Sequence, residues 1–176
     1  MNNAPFRIAL ALLPLAFGAV AADAAAPAPA ASPIIALPLQ PIVPAAQRTC
    51  TMKTASGLGY SVLKAAEGPK AGSTDYVLVD YIGYLATTGA VFDQNQRSPL
   101  SVENVIPGFS EGLQLMPRGS VWRFCIPAAM GYGAQASGPI PANSDLVFQV
   151  ELLDSKTVAE VAAMQKQQAP DAAPKP

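Results

Sequence analysis

The chain has 176 residues, enough for one ordinary domain with appendages. Its 11 Lys+Arg against 12 Asp+Glu give a net charge of -1, without the cationic surplus that a nucleic-acid binder needs. With no His and only two Cys, the sequence excludes imidazole metal sites, a His general base and a four-cysteine zinc site, so neither metal nor cofactor is expected.

The chain begins with an address. Arg7 is the only charge before Asp23, Ile8 to Val20 is an apolar run of 13 residues, and small residues follow at Val20-Ala21-Ala22 and Ala22-Asp23-Ala24. This order predicts a secretory signal peptide over 1–24, cleaved after Ala22 or Ala24, because the run is shorter than the ~20 residues of a membrane span. The mature protein is then expected in an exported compartment, periplasmic or secreted, with no membrane attachment after cleavage. Residues 25–48 read as an Ala/Pro-rich linker. Six prolines and no charge between Ala25 and Ala46 forbid a helix or a central strand and predict an extended tether. Ile34-Ile35 and Leu37-Pro38-Leu39 give that tether apolar points able to pack.

A single domain is expected over 49–156. Thr51 to Thr54 and Tyr60 to Ala65 read as short strands joined by a turn at Ser56-Gly57. Tyr76 to Tyr84 is rich in β-branched and aromatic residues, the composition of a strand. Thr88-Gly89 marks a tight turn between Leu85 and Val91. Pro107 to Leu115 reads as a helix, with Pro at the first turn, where its missing N–H costs nothing, and with Phe109, Leu113 and Met116 on one face. Trp122, Phe124 and Ile126 alternate with Val121, Arg123 and Cys125, and Leu146, Phe148, Val150 and Leu152 alternate with Val147, Gln149 and Glu151, the period of half-buried strands. Together these elements predict an α+β domain, a twisted antiparallel sheet wrapped around one short helix. Residues 157–176 read as a tail with a short helix over Thr157 to Lys166.

The motifs strung through this domain carry a resemblance. Val79-Asp80-Tyr81-Ile82-Gly83, Gly89-Ala90-Val91-Phe92-Asp93, Val105-Ile106-Pro107-Gly108-Phe109, Gly131-Tyr132-Gly133, Ile140-Pro141-Ala142 and Leu146 to Leu153 together resemble the FKBP-type peptidyl-prolyl cis-trans isomerases. Ser56-Gly57-Leu58 at the opening looks like the compact, exported bacterial branch. The resemblance implies a five- to six-stranded antiparallel sheet half-wrapped around one helix, with a shallow apolar pocket for a proline side chain. In that pocket Tyr81 and Phe148 match aromatic walls, and Phe92 and Asp93 match the family's Phe-Asp pair. Val105 and Ile106 match the pair before the helix, where the Ile N–H faces the ligand. Tyr132 matches the tyrosine whose hydroxyl contacts the peptide, and Ile140 an apolar residue over the site. Three positions depart from the pattern: Phe109 stands where the floor is usually Trp, Leu100 replaces an aromatic wall residue, and Met130 occupies a position often aromatic.

The implied activity is peptidyl-prolyl cis-trans isomerisation in exported, proline-containing polypeptides. A low-turnover chaperone or peptide-binding module on the same fold is the alternative. Macrolides of the rapamycin or tacrolimus type are implied ligands. The proline-rich 25–48 segment does not suit a helical dimerisation region, so a monomer is expected. Cys50 and Cys125 are expected to form a disulfide, since export permits one and the alternation of 121–126 sends Cys125 to the outer face of the sheet. In the implied fold a strand at Tyr60 to Lys64 lies beside 121–126 and brings Cys50 within reach.

Overall fold

The structure, a computed structural model, describes residues 34–35 and 42–168. The expected leader at 1–24 and the end of the tail at 169–176 lie outside the described residues.

Six strands form one antiparallel sheet. Met52–Lys53 (β1), Gly59–Lys64 (β2), Tyr76–Leu85 (β3), Val91–Ser101 (β4), Val121–Ile126 (β5) and Leu146–Lys156 (β6) are arranged in the order β1-β2-β5-β6-β3-β4. The long strands β3 and β6 pair with Gly83 opposite Phe148 and Tyr81 opposite Val150. This agrees with the predicted α+β architecture. The helix forms where its proline start places it, as Pro107–Leu115 (α1).

α1 lies close against the sheet because two of its buried positions, Gly108 and Gly112, carry no side chain. A Cβ added at Gly112 would meet the Phe124 ring at 2.6 Å, and one at Gly108 would meet Ile126 Cγ2 at the same distance. Leu113, Phe109 and Met116 bury themselves beside Phe124, Leu146, Phe148 and Val150 to form the main core between helix and sheet.

β4 is the element that the sequence did not announce beyond Val91. Its polar run carries no alternation that marks a buried face, and it contains Pro99. It is an edge strand, paired only to β3, and an edge tolerates both features. One extra residue bulges from β4 between the Val79–Ser98 and Tyr81–Asn95 pairs, where Gln96 and Arg97 oppose Asp80; Arg97 takes a positive φ and its N–H donates to Asp80 Oδ1 at 2.6 Å.

The opposite face of the sheet carries a second, smaller core. Ile82, Tyr84 and Val147 point away from α1 and are covered by Ile35 and by Val43, which is fully buried. The described parts of the 25–48 segment therefore lie against the domain as a strap. Val43 N–H donates to Gly89 O, Tyr84 OH donates to Gln47 O at 2.6 Å, and Arg123 Nη1 donates to Thr49 O. Gln149 holds Ile35 by both backbone groups, accepting its N–H at 2.7 Å and donating to its C=O at 2.8 Å. Apolar burial drives the docking, and among the described residues of the segment the regular helical structure is one short 3-10 turn, Ala45–Gln47, that follows Pro44. Cys50 and Cys125 are bonded across this face with Cα atoms 6.1 Å apart, as expected. Arg123, sent to the outer face by the same alternation as Cys125, is buried.

The last described element is Val158–Gln168 (α2), started by a reciprocal cap. Glu160 N–H donates to Thr157 Oγ1, and Glu160 Oε2 accepts from Thr157 N–H. Among the described residues no helix is long and apolar enough to cross a membrane.

Candidate active site

A cavity of about 510 Å³ opens between the start of α1 and the inner faces of β3, β4 and β6. Its walls follow from strand alternation. Tyr81 on β3 and Phe148 on β6 project inward from neighbouring strands, with ring centroids 6.4 Å apart. Phe109, in the first turn of α1, meets Phe148 at 4.8 Å and Tyr81 at 6.2 Å, both edge to face, the geometry aromatic quadrupoles favour. Phe92 on β4 meets Phe148 at 5.4 Å, again edge to face. Phe109 and Phe148 are only 4% and 7% exposed, so these rings are held by the core and cannot swing aside.

The Phe92–Phe148 contact depends on a missing side chain. Gly83 faces the same way as Tyr81, and a Cβ there would come 2.6 Å from Phe148 Cε1 and 2.7 Å from Phe92 Cε2. The sequence reading passed over this residue as a site component. Its signal was a glycine inside a β-rich run, which often marks a close approach.

The polar groups are few. Tyr81 OH donates to Asp93 Oδ2 at 2.7 Å, and among the described residues Asp93 is the only carboxylate lining the cavity. Burial, reinforced by the hydrogen bond and the negative charge of Asp93, holds the Tyr81 phenol well above the ordinary tyrosine range. Tyr81 is therefore a neutral donor at physiological pH. Ile106 occupies the N-cap position of α1. Its carbonyl accepts from Phe109 and Ser110, while its N–H has no acceptor among the described residues. Val105, one residue earlier, lines the same wall.

The loop between β5 and β6 covers the opening. A tight turn pairs Ser137 with Ile140 through both backbone groups and sets Ile140, 5% exposed, as the roof. Tyr132 reaches the rim, 41% exposed, and its hydroxyl has no hydrogen-bond partner among the described residues. Leu100 lines the β4 side. The cavity thus gathers Tyr81, Phe92, Asp93, Leu100, Val105, Ile106, Phe109, Tyr132, Ile140 and Phe148. Met130 does not join them: it sits in the 3-10 turn Ala128–Met130 and packs on the main core. Asn104, Ser137, Gly138 and Pro139 also line the opening, and the sequence reading did not single them out. Their types are ordinary for loops, and only the folded path of the chain brings them to the rim.

This arrangement has no nucleophile beside a base. It offers an apolar slot, a backbone N–H and two phenols.

Comparison with known proteins identifies the fold and its relatives. The family model described as FKBP-type peptidyl-prolyl cis-trans isomerase matches residues 68–153. The FKBP-type peptidyl-prolyl cis-trans isomerase FkpA of Aeromonas hydrophila is 44% identical over 112 residues, 61% of this chain and 41% of the relative. The outer membrane protein MIP of Legionella longbeachae is 41% identical over 109 residues, 59% of this chain and 46% of the relative. The chain thus spans less than half the length of these two curated relatives. A crystal structure of a peptidyl-prolyl cis-trans isomerase from Pseudomonas syringae pv. tomato superposes with a TM-score of 0.58 at 35% identity, covering 60% of this chain and 80% of that one. Its likeness runs through most of a whole isomerase, in sequence as well as in backbone, and the chain belongs to the FKBP-type peptidyl-prolyl cis-trans isomerase family.

Proposed function

We propose that the chain is a peptidyl-prolyl cis-trans isomerase acting through the aromatic cavity on proline-containing segments of exported proteins. The observation that carries this reading is the closed set of rings, Tyr81, Phe92, Phe109 and Phe148, beside an Ile106 N–H without an internal acceptor.

The chemistry needs no acid, base or metal. Resonance makes the Xaa–Pro C–N bond partly double, with a barrier of ~18–20 kcal/mol, and uncatalysed exchange takes tens to hundreds of seconds. At the twisted transition state that resonance is lost, and the amide becomes less polar. An apolar slot disfavours the planar, polar amide relative to the twisted one. The Ile106 N–H and the Tyr132 hydroxyl fix the flanking peptide in a turn, so part of the binding is realised only as the bond twists. A rate gain of about 10⁴ requires ~5.5 kcal/mol, within reach of packing and a few hydrogen bonds. Asp93 orients Tyr81 and transfers no proton.

In this reading residues 1–24 direct export, and the periplasm is the site of action. A relative named as an outer membrane protein supports the coarser statement of export. Macrolides of the rapamycin or tacrolimus type compete for the same slot, and the working unit is a monomer, which sedimentation checks directly.

The test is cis–trans exchange of a short Leu-Pro peptide followed by NMR with catalytic amounts of the protein. Exchange accelerated well above the uncatalysed rate, and suppressed by a macrolide, supports the reading. Binding of the peptide without acceleration replaces it with the peptide-binding module.

A further inference from the structure

We propose that Asp93 makes the cavity selective for segments that carry a Lys or Arg side chain within one residue of the proline. The inference rests on the isomerase reading above and names its substrate class.

Asp93 differs from every other described aspartate in how little of the chain it serves. Asp75 Oδ2 accepts the Gly72 N–H, Asp80 Oδ1 accepts the Arg97 N–H, and Asp145 Oδ1 accepts the Ala128 N–H. Asp154 pairs with both Arg118 and Lys156. Each of these carboxylates fixes a turn or meets a cation. Asp93 does neither. One of its oxygens accepts the Tyr81 hydroxyl, and the other has no partner among the described residues. Among the described residues no Lys or Arg forms a salt bridge with it, and none lines the cavity.

The surroundings sharpen the charge. The walls on either side are aromatic, and low-dielectric walls strengthen and focus the field of a single carboxylate. The proline ring takes the apolar floor. A side chain one residue away leaves that floor at the rim, where the unengaged Asp93 oxygen offers a hydrogen-bonded ion pair to a cation and repulsion to a carboxylate. Exposed pairs change affinity only modestly, so the expected contrast between a basic and an acidic neighbour is about two- to ten-fold.

The experiment is NMR exchange spectroscopy, which needs no coupling protease whose own preferences intrude. Matched peptides carry Lys, Gln or Glu after a Leu-Pro pair, and a second set carries them before the proline. They are measured with the full chain and with Asp93→Asn, whose fold is checked by circular dichroism. The expected result is a kcat/KM order of Lys, then Gln, then Glu in at least one set. The contrast disappears in Asp93→Asn, and it shrinks toward unity in the unaltered protein at 0.5 M NaCl, where screening acts within about 4 Å. Equal kcat/KM across both sets, with robust turnover of the Gln peptides, overturns the inference alone. A contrast that survives Asp93→Asn or high salt also overturns it. No acceleration of any peptide overturns the isomerase reading itself, and the inference with it.

Discussion

At the scale of single residues, the site separates groups that hold the fold from groups that only dress its opening. Asp93 and Tyr132 are exposed, so their loss spares the core. Tyr132→Phe is expected to lower kcat/KM about two- to ten-fold and Asp93→Ala about ten-fold or more, the spans for a neutral and a charge-assisted hydrogen bond, with unchanged thermal midpoints. Phe148→Ala is expected to lower both, since truncating a buried Phe costs ~3–5 kcal/mol. Peptide exchange rates and thermal unfolding on the three variants check this together. Tyr84 makes a different prediction. Burial beneath the strap pushes its phenol up to about 12, against the easing effect of Arg123 and Arg48. The folded state then keeps a proton that the unfolded chain releases near pH 10. The stabilisation is fully present below pH 10 and is lost as pH rises toward 12, about 2–3 kcal/mol at 1.36 per unit. Urea midpoints should therefore fall more steeply between pH 9 and 11.5 in the unaltered protein than in Tyr84→Phe.

At the scale of elements, α1 shows two effects in opposition. Gly112→Ala improves helix propensity by about 1 kcal/mol. It also drives a methyl toward a fully buried Phe124 ring, and overpacking costs ~1–3 kcal/mol. The ring has nowhere to go, so the variant is expected to lose stability, read as a thermal midpoint a few degrees lower. The helix itself was legible in the sequence because Pro107, the Phe109–Leu113–Met116 face and Pro117 all agree. The five strands with apolar alternation or β-branched runs were legible for the same reason. β4 was not, because an edge strand has one side that answers to no partner and its residues need not alternate. α2 also has a start legible at Thr157 and Glu160, an S/T-x-x-E pattern. The site was readable through motifs of types that rarely coincide in order, such as Phe92-Asp93 and Val105-Ile106-Pro107. Gly83 and Asn104 were not, because what they do depends on which rings and strands lie across from them.

At the scale of the whole molecule, the sheet serves two faces at once. Phe148 lines the cavity, while its neighbours Val147 and Gln149 hold the strap. The strap was only half readable, since its apolar residues are isolated among prolines and their receptor forms only when β3 and β6 pair. A chain shortened to 49–156 is therefore expected to retain peptide turnover, because the inner face is intact. It should unfold at lower urea than one beginning at residue 34, since Ile82, Tyr84 and Val147 lose their cover. Cys50→Ser is expected to cost about 4.5 kcal/mol, the loop-entropy value for closing 75 residues, and a urea titration of the variant beside the reduced parent measures it. The same bond has a consequence for survival among proteases. Arg97 stands exposed on the free edge of the sheet, inside the span that Cys50 and Cys125 close. A trypsin-like cut after it opens a ring rather than severing a chain. The two pieces stay one covalent molecule, still clasped through the ladders of β3 and β4, and they come apart on a gel only when the sulfurs are reduced.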